Sequence, residues 1–373
     1  MSEAAASEHL IYSCDDHLDI YHLPTDLWTN RLPEKYRELG PKVVERDGKK
    51  WWMAGEHNLG LSGSYPGVAT SRVYKDDDGM RPGDPKLRME DMTLDHIHAS
   101  IVYGPGAIWG FPVSNPQLKV EILRAWNDWA AEEFNSYMPG RLSALAALPT
   151  TNAKDAVEEL HRCVDLGHRG VVFRAYDLDS LLDLNEEWDA LWSAAAEAEI
   201  PLSFHIGGGG SIKLGEKPDY SARSRWKMPA TVATLPMQLD EPLSVMIFSG
   251  VLERHPKLRL VLAESGVGWL PYFVKRMDGT FEKYCVRDKA AIKLRPSEIF
   301  RRQVYATFEE EPYGPQLIPL LGAENFMWAC DYPHPDSTWP ESQKAIAEAL
   351  GTLSEEAVRL VTADNCKRLY NLD

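Results

Sequence analysis

Short, near-continuous apolar runs recur along the whole chain. They are LIYSC (10–14), ASIVYG (99–104), RLSALAALP (141–149), GVVFRA (170–175), IPLSFHIG (200–207), LRLVLAES (258–265), QVYATF (303–308) and NFMWACD (325–331). Each has strand length and lacks strict alternation, the pattern of strands covered on both faces. Between them the apolar positions move to i, i+3, i+4 spacing, as in QLKVEILRAWNDWAAEEF, AKDAVEELHRCVDLG, NEEWDALWSAAAEAE and GWLPYFVKRMDGTFEKYC. Asn152 stands where an N-cap belongs, Asn185 is a second cap candidate, and Gly167 is placed to end a helix. Strands alternating with helices predict parallel pairing with right-handed crossovers. Eight such units predict an α/β fold of the (β/α)8 TIM type.

One segment interrupts the rhythm. Residues about 20–95 are too long for a βα loop. TDLWTNRLPEKYREL predicts a helix, and PKVVERDGKKWWMAGE predicts a hairpin turning at Asp47-Gly48. The segment is therefore expected as a helix-hairpin insertion after strand 1, acting as a lid or an interface. The Trp51-Trp52 pair reads as hairpin packing, and the tail LSEEAVRLVTADNCKRLYNLD reads as one or two closing helices. The expected organisation is a single barrel domain over residues 1–373.

Composition narrows the function classes. A formal net charge of −16 disfavours nucleic acid as a partner, which would call for clustered Lys and Arg. No apolar run approaches the length of a membrane span, so no membrane partner is expected. Five scattered cysteines without CxxC spacing and a polar, acidic start are the expectation for a reducing, cytoplasmic setting.

Candidate chemistry collects at the ends of the runs, where a barrel builds its active site. The first run leads into Asp15 and His17, the fourth holds Arg174, the fifth His205, the sixth Glu264, and the eighth Asp331 with His334 beyond it. Asp15 and His17 are two apart, so a strand turns both to one side. With His205 and Asp331 they offer two nitrogens and two oxygens, a set suited to one divalent metal: zinc first, manganese or iron as alternatives. Singly, each residue also has a bland reading, as a turn acid, a core histidine or a helix-start carboxylate. His9, His22, His161, His168 and His255 read as solvated, and His57 as a residue that a closing lid would bring to substrate. Trp28, Trp109, Trp269 and Trp339 are candidates to line a pocket for an aromatic or cyclic compound.

DDH, SFHIG, LAESGVGWLPYFVKRMD and WACDYPHPDSTWP together resemble the amidohydrolase superfamily. FSGVLERHPKLRLVLAESG and RRQVYATFEEEP extend the likeness over nearly the whole chain. The branch is similar to aminocarboxymuconate-semialdehyde decarboxylase and the hydroxybenzoate-type decarboxylases. The resemblance implies a distorted barrel with a divalent metal in its mouth, and Asp15, His17, His205 and Asp331 as its ligands. It also implies a histidine after strand six, where this chain has Glu264. A glutamate is not a cationic polariser, so metal-dependent hydrolysis is the first expectation. There Asp331 or Glu264 would shuttle the proton, and Arg174, His334, Trp269 and His57 would meet substrate. Non-oxidative decarboxylation of an aromatic or unsaturated acid is the alternative, and a metal-free binding protein the second. The expected partners are a small-molecule substrate and a second copy of the chain in a homodimer.

Overall fold

The computed structural model describes residues 10–63, 67–76, 78–106, 113, 115–207, 227–285 and 292–372, and structural statements below refer to these. Trp109 and His9 lie outside them. The strands are β1 (Ile11–His17), β2 (Pro41–Arg46), β3 (Lys49–Ala54), β4 (His57–Leu61), β5 (Ile97–Tyr103), β6 (Leu142–Ala144), β7 (Ala146–Ala147), β8 (Val171–Val172), β9 (Leu202–His205), β10 (Leu260–Ala263), β11 (Val304–Phe308) and β12 (Phe326–Trp328). Two parallel sheets run β1-β5-β6 and β7-β8-β9-β10-β11-β12. They are two arcs of one circuit. Leu145 alone separates β6 from β7, since its N–H turns back to Val102 O (2.8 Å) while Ala146 N–H goes on to Gly170 O (3.2 Å). At the other end Asp331 N–H donates to Asp15 O (3.0 Å) and His17 N–H to Tyr332 O (2.7 Å), which brings the chain after β12 onto β1. This is the strand order of a (β/α)8 barrel. All strands of the circuit are parallel, and their burial is nearly continuous, as their unbroken apolar runs require.

The run 141–149 thus forms two short strands rather than one, because the circuit changes sheets at Leu145. Asn115 caps the helix Pro116–Trp129 and Asn152 the helix Ala153–Asp165 through side-chain oxygens that accept N–H groups of their first turns. Gly167, at φ +85°, follows the second of these. Asn185 caps no α-helix. It closes the short turn Leu181–Leu184 and accepts from Arg254 (3.1 Å), and the helix starts later, at Asp189–Glu197. Two histidines expected in solvent are in the core. His22 Nδ1 lies 2.7 Å from Gly79 O, and His168 bridges Ala144 O (3.1 Å) and Asn127 O (3.0 Å).

Between β1 and β5 the single expected helix is two, Leu27–Arg31 and Glu34–Arg37. They part at Leu32-Pro33, because a proline pushes the residue before it into extended backbone. β2, β3 and β4 form an antiparallel sheet. Its first turn holds Asp47 at φ +53° and Gly48 at φ +69°, the left-handed pair of a tight hairpin. Trp52 is buried edge-on against Trp28, 5.2 Å away. The helix Pro85–Leu94 then sends Arg88 under β1. Its guanidinium donates to His17 O (3.0 Å) and lies 3.4 Å from Asp16 Oδ2. From the same helix Asp91 accepts the Tyr332 hydroxyl (2.6 Å), so the segment buttresses the loop that carries Asp331.

Candidate metal centre

β1 runs through to His17, so Asp15 and His17 point to one side while Asp16 points to the other. Asp16 accepts from Ser13 (2.7 Å), Ser100 and Tyr332 N–H (3.2 Å), fully engaged behind the strand. Asp15 and His17 meet His205 from the end of β9, Glu264 just past β10, and Asp331 past β12. Asp15 Oδ1 lies 3.5 Å from His17 Nε2 and 3.4 Å from His205 Nε2. Asp331 Oδ1 is 3.2 Å from His17 Nε2. Glu264 Oε2 is 3.4 Å from His205 Nε2 and 3.9 Å from His17 Nε2. The two imidazoles meet edge to face, their centroids 5.1 Å apart.

Local structure fixes these directions. Asp15 Oδ2 accepts from Thr307 Oγ1 (2.6 Å) and from Glu264 N–H (2.7 Å), which leaves Oδ1 to face the histidines. Glu264 and Asp331 both occupy left-handed backbone, at φ +53° and +60°. A non-glycine residue pays roughly 1–2 kcal/mol to sit there, and such strain concentrates at functional sites. After Glu264 the turn is held by Glu311, whose carboxylate accepts Val267 N–H and Gly268 N–H, both at 2.8 Å. A Cβ at Gly268 would come within 2.6 Å of Glu311 Oε1, so a larger residue there would push the carboxylate off its two N–H partners.

The donor set fits a divalent ion. Asp15 Oδ1, His17 Nε2 and Asp331 Oδ1 are buried, face one another, and make no well-directed hydrogen bond. Donors about 2.1 Å from a shared ion stand roughly 3.0–3.5 Å apart when neighbouring bond angles are about 90–110°. The separations His17–Asp15, His205–Asp15 and His17–Asp331 match or come close. Asp15, His17 and His205 can each place a ligand atom within 4.8 Å of the others, and so can His17, Asp331 and His334.

Without an ion the electrostatics are uneven. Burial, the Asp331 charge and the Asp15 charge push the Glu264 carboxyl up to about 8 against the pull of His205. Burial works to lower His205, but Asp15 and Glu264 outweigh it and lift the imidazole to about 9. Burial together with the neighbouring His334 lowers His17. Asp331 stays far below the usual carboxylate range despite burial, because His334 and His17 face it. His334 stacks on His17 at 4.0 Å and spans two acids, with Nδ1 2.8 Å from Asp331 and Nε2 3.3 Å from Asp19. Those acids overcome burial and raise His334 well above its ordinary value. Asp19 in turn falls to about 2, burial notwithstanding.

The structure therefore brings together Asp15, His17, His205, Glu264, Asp331 and His334. The remaining predicted residues stand in contacts of their own. Arg174, past β8, is buried and pairs with Asp177 (3.0 Å) in its own loop. Trp269, in the turn after Glu264, donates to Ser265 O (2.7 Å) and packs on Phe273. His57 is exposed at the start of β4. Three residues that sequence reasoning passed over belong to the centre. Asp19 and Thr307 hold His334 and Asp15. Glu309, just past β11, feels Asp331, Glu264 and Asp15, and burial with those charges raises its carboxyl strongly. The acid run TFEEEP after a strand was the available signal for Glu309.

Residues 25–372 match the protein family described as amidohydrolase. The 2-amino-3-carboxymuconate-6-semialdehyde decarboxylase of Dictyostelium discoideum is 23% identical over 359 residues, covering 94% of this chain and 92% of that one. The gamma-resorcylate decarboxylase of Rhizobium sp. is 27% identical over 330 residues, 82% of this chain and 96% of its own. Among solved structures, a variant of the 5-carboxyvanillate decarboxylase of Novosphingobium aromaticivorans, with bound manganese and 3-methoxy-4-hydroxy-5-nitrobenzoic acid, superposes with a TM-score of 0.70. It is 15% identical, and the match covers 98% of each chain.

Proposed function

Because the chain belongs to the amidohydrolase family, we propose that it is a metal-dependent, non-oxidative decarboxylase of a small aromatic acid. The observation that carries this reading is a pair of largely buried donor triads that share His17, Asp15-His17-His205 and His17-Asp331-His334, in a chain whose relatives bear decarboxylase names. Hydrolysis, the first expectation from sequence, draws no support from those relatives, and the departure at Glu264 does not by itself favour it.

Asp15, His17, His205 and Asp331 would hold one divalent ion, and manganese fits the relative that binds it. Bound there, such an ion would supply Lewis acidity at the mouth of the barrel. The protein's own part is positioning and proton transfer. Asp331, kept ionised by His334 and His17, would relay to the ring carbon a proton held on His334, which Asp19 helps to keep protonated. The carbon–carbon bond breaks, its electron pair stays on the ring carbon that takes the proton, and carbon dioxide leaves. Arg174 and Trp269 are the candidates to hold the ring and its acidic substituents, and the β2–β4 sheet, with His57, is the candidate lid or interface. The chain acts in this reading as a cytoplasmic homodimer with its five buried cysteines reduced, a state that sedimentation would check.

The test uses the purified protein with manganese or zinc and carboxyl-13C-labelled dihydroxybenzoic and carboxyvanillic acids. Labelled carbon dioxide is expected, and in D2O one deuterium at the vacated ring position. Hydrolysis of esters, amides or lactones with no carbon dioxide from any acid would instead restore the hydrolase reading.

A further inference from the structure

Glu264 occupies a place that the four-donor set does not need. Its carboxylate nonetheless returns to both histidines, with Oε2 3.4 Å from His205 Nε2 and 3.9 Å from His17 Nε2. Those are on the scale of the 3.4–3.5 Å between Asp15 and the two histidines and the 3.2 Å between Asp331 and His17. The local backbone is built for this. Glu264 takes left-handed backbone at φ +53°, its N–H orients Asp15 Oδ2, and Glu311 pins the following turn through Val267 and Gly268. A solvated helix-start carboxylate would need neither the strain nor the clamp. We propose that Glu264 is a direct fifth ligand of the ion, giving a centre of three carboxylates and two imidazoles. Such a set is richer in hard oxygen than a four-coordinate zinc site, and it favours manganese more than the four donors alone would. This rests on the reading of the site as a metal centre, and it is independent of which reaction the centre serves.

The experiment measures Mn2+ and Zn2+ affinity of the full chain, Mn2+ by electron paramagnetic resonance of the free ion, for wild type, Glu264→Gln and Glu309→Gln. Glu309 feels the same neighbouring acids, so its variant reports the effect of exchanging a nearby carboxyl for an amide. Glu264→Gln is expected to bind Mn2+ at least 10-fold more weakly and to lose less for Zn2+. Glu309→Gln is expected to change Mn2+ affinity by no more than about 3-fold. The metal-free Tm of Glu264→Gln should stay within about 2 °C of wild type or exceed it, since the amide keeps the shape of the carboxyl and a ligand has no ion to hold in the metal-free chain. Glu264→Gln binding Mn2+ as wild type does, or losing no more than Glu309→Gln, overturns the ligand assignment. A lowered metal-free Tm with unchanged affinity would assign Glu264 to structure and overturn it as well. Decarboxylation by wild type alongside full Mn2+ affinity in Glu264→Gln removes this inference alone. Weakened binding in the variant, with no acid decarboxylated by wild type, removes only the proposed reaction. A wild type that binds neither ion removes both.

Discussion

Asp331 is asked to do two things in the proposed reaction, to ligate and to carry a proton, and its neighbours divide those tasks. Oδ1 faces His17 at 3.2 Å and also His334 at 2.8 Å. Asp331→Asn should therefore lose both, with bound Mn2+ falling and kcat dropping by roughly 10²–10⁴. His334→Gln separates them. It removes the imidazole that ties Asp331 to Asp19 but leaves Asp15, His17 and His205 in place, so kcat should fall by about 10–100-fold while roughly one Mn2+ per chain remains bound. Metal content beside kcat checks both variants, and loss of metal in His334→Gln would make His334 a ligand. The residues that the structure brings together at the rim were placeable from sequence because most stand where an apolar run ends, and a parallel strand delivers that position to the rim. Thr307 and Asp19 were not. Thr307 lies inside the run VYATF and reads as an ordinary β-branched strand residue. Its importance comes from a hydroxyl aimed across the circuit at Asp15, a direction no single run encodes. His22 and His168 show the same limit from the other side, since partners 57 and 24–41 positions away bury them.

At the scale of elements, turns rather than strands decide the geometry. Glu311 follows β11, yet it fastens the turn after β10, accepting two N–H groups of the loop that leads into the helix Leu270–Thr280. Glu311→Ala removes both bonds. The expected cost is about 2–4 kcal/mol, as two hydrogen bonds to a charged group are lost. Denaturant unfolding measures it, together with a fall in kcat of roughly 10-fold as Glu264 loosens. Glu311→Gln keeps an acceptor and should recover part of each. Asp95 offers a pH test away from the centre. It accepts Ser342 N–H (2.9 Å) and the Ser342 hydroxyl at the start of the helix Ser342–Leu350, and burial outweighs those bonds to push its carboxyl up to about 6. The folded chain therefore holds this proton more tightly than the unfolded chain, whose carboxyl sits near 3.9. Its stabilising contribution is complete below about pH 4 and is lost as pH rises through about 6, a difference of roughly 2–3 kcal/mol. The stability of wild type relative to Asp95→Asn should accordingly grow as pH falls from 7 to 4, and a flat difference would remove Asp95 as its source. Elements were legible where periodicity governed them, as with the Asn115- and Asn152-capped helices. The split at Leu32-Pro33 and the break at Leu145 were less so, because a proline's reach and a change of sheet each depend on a single residue.

For the whole molecule, the centre lies on the seam of the circuit. The two parallel arcs meet where Asp331 N–H reaches Asp15 O and His17 N–H reaches Tyr332 O. β1, and the residues at or just past the ends of β9, β10 and β12, each supply a donor, so an ion would tie together strands far apart in sequence. The spacing of apolar runs made this circuit readable, but not the seam, whose bonds come from irregular backbone after the last strand. Without an ion the acids Asp15 and Asp331 both press on Glu264 from different elements, so ion-free protein must carry that repulsion or take up protons. Binding only the folded state, an ion at 1,000 times its Kd adds about 4 kcal/mol. An unfolding entropy of about 2.1 cal/mol/K per residue, over 373 residues, converts that to a Tm rise of roughly 5 °C. Calorimetry of chelator-treated protein, before and after adding Mn2+, should show that rise. Asp15→Asn should shrink it, since its remaining oxygen donor lacks the charge, while a substitution at exposed Leu182 should leave it intact. An identical Tm with and without ion would mean that the donors meet without sharing one, and the metal centre would have to be abandoned.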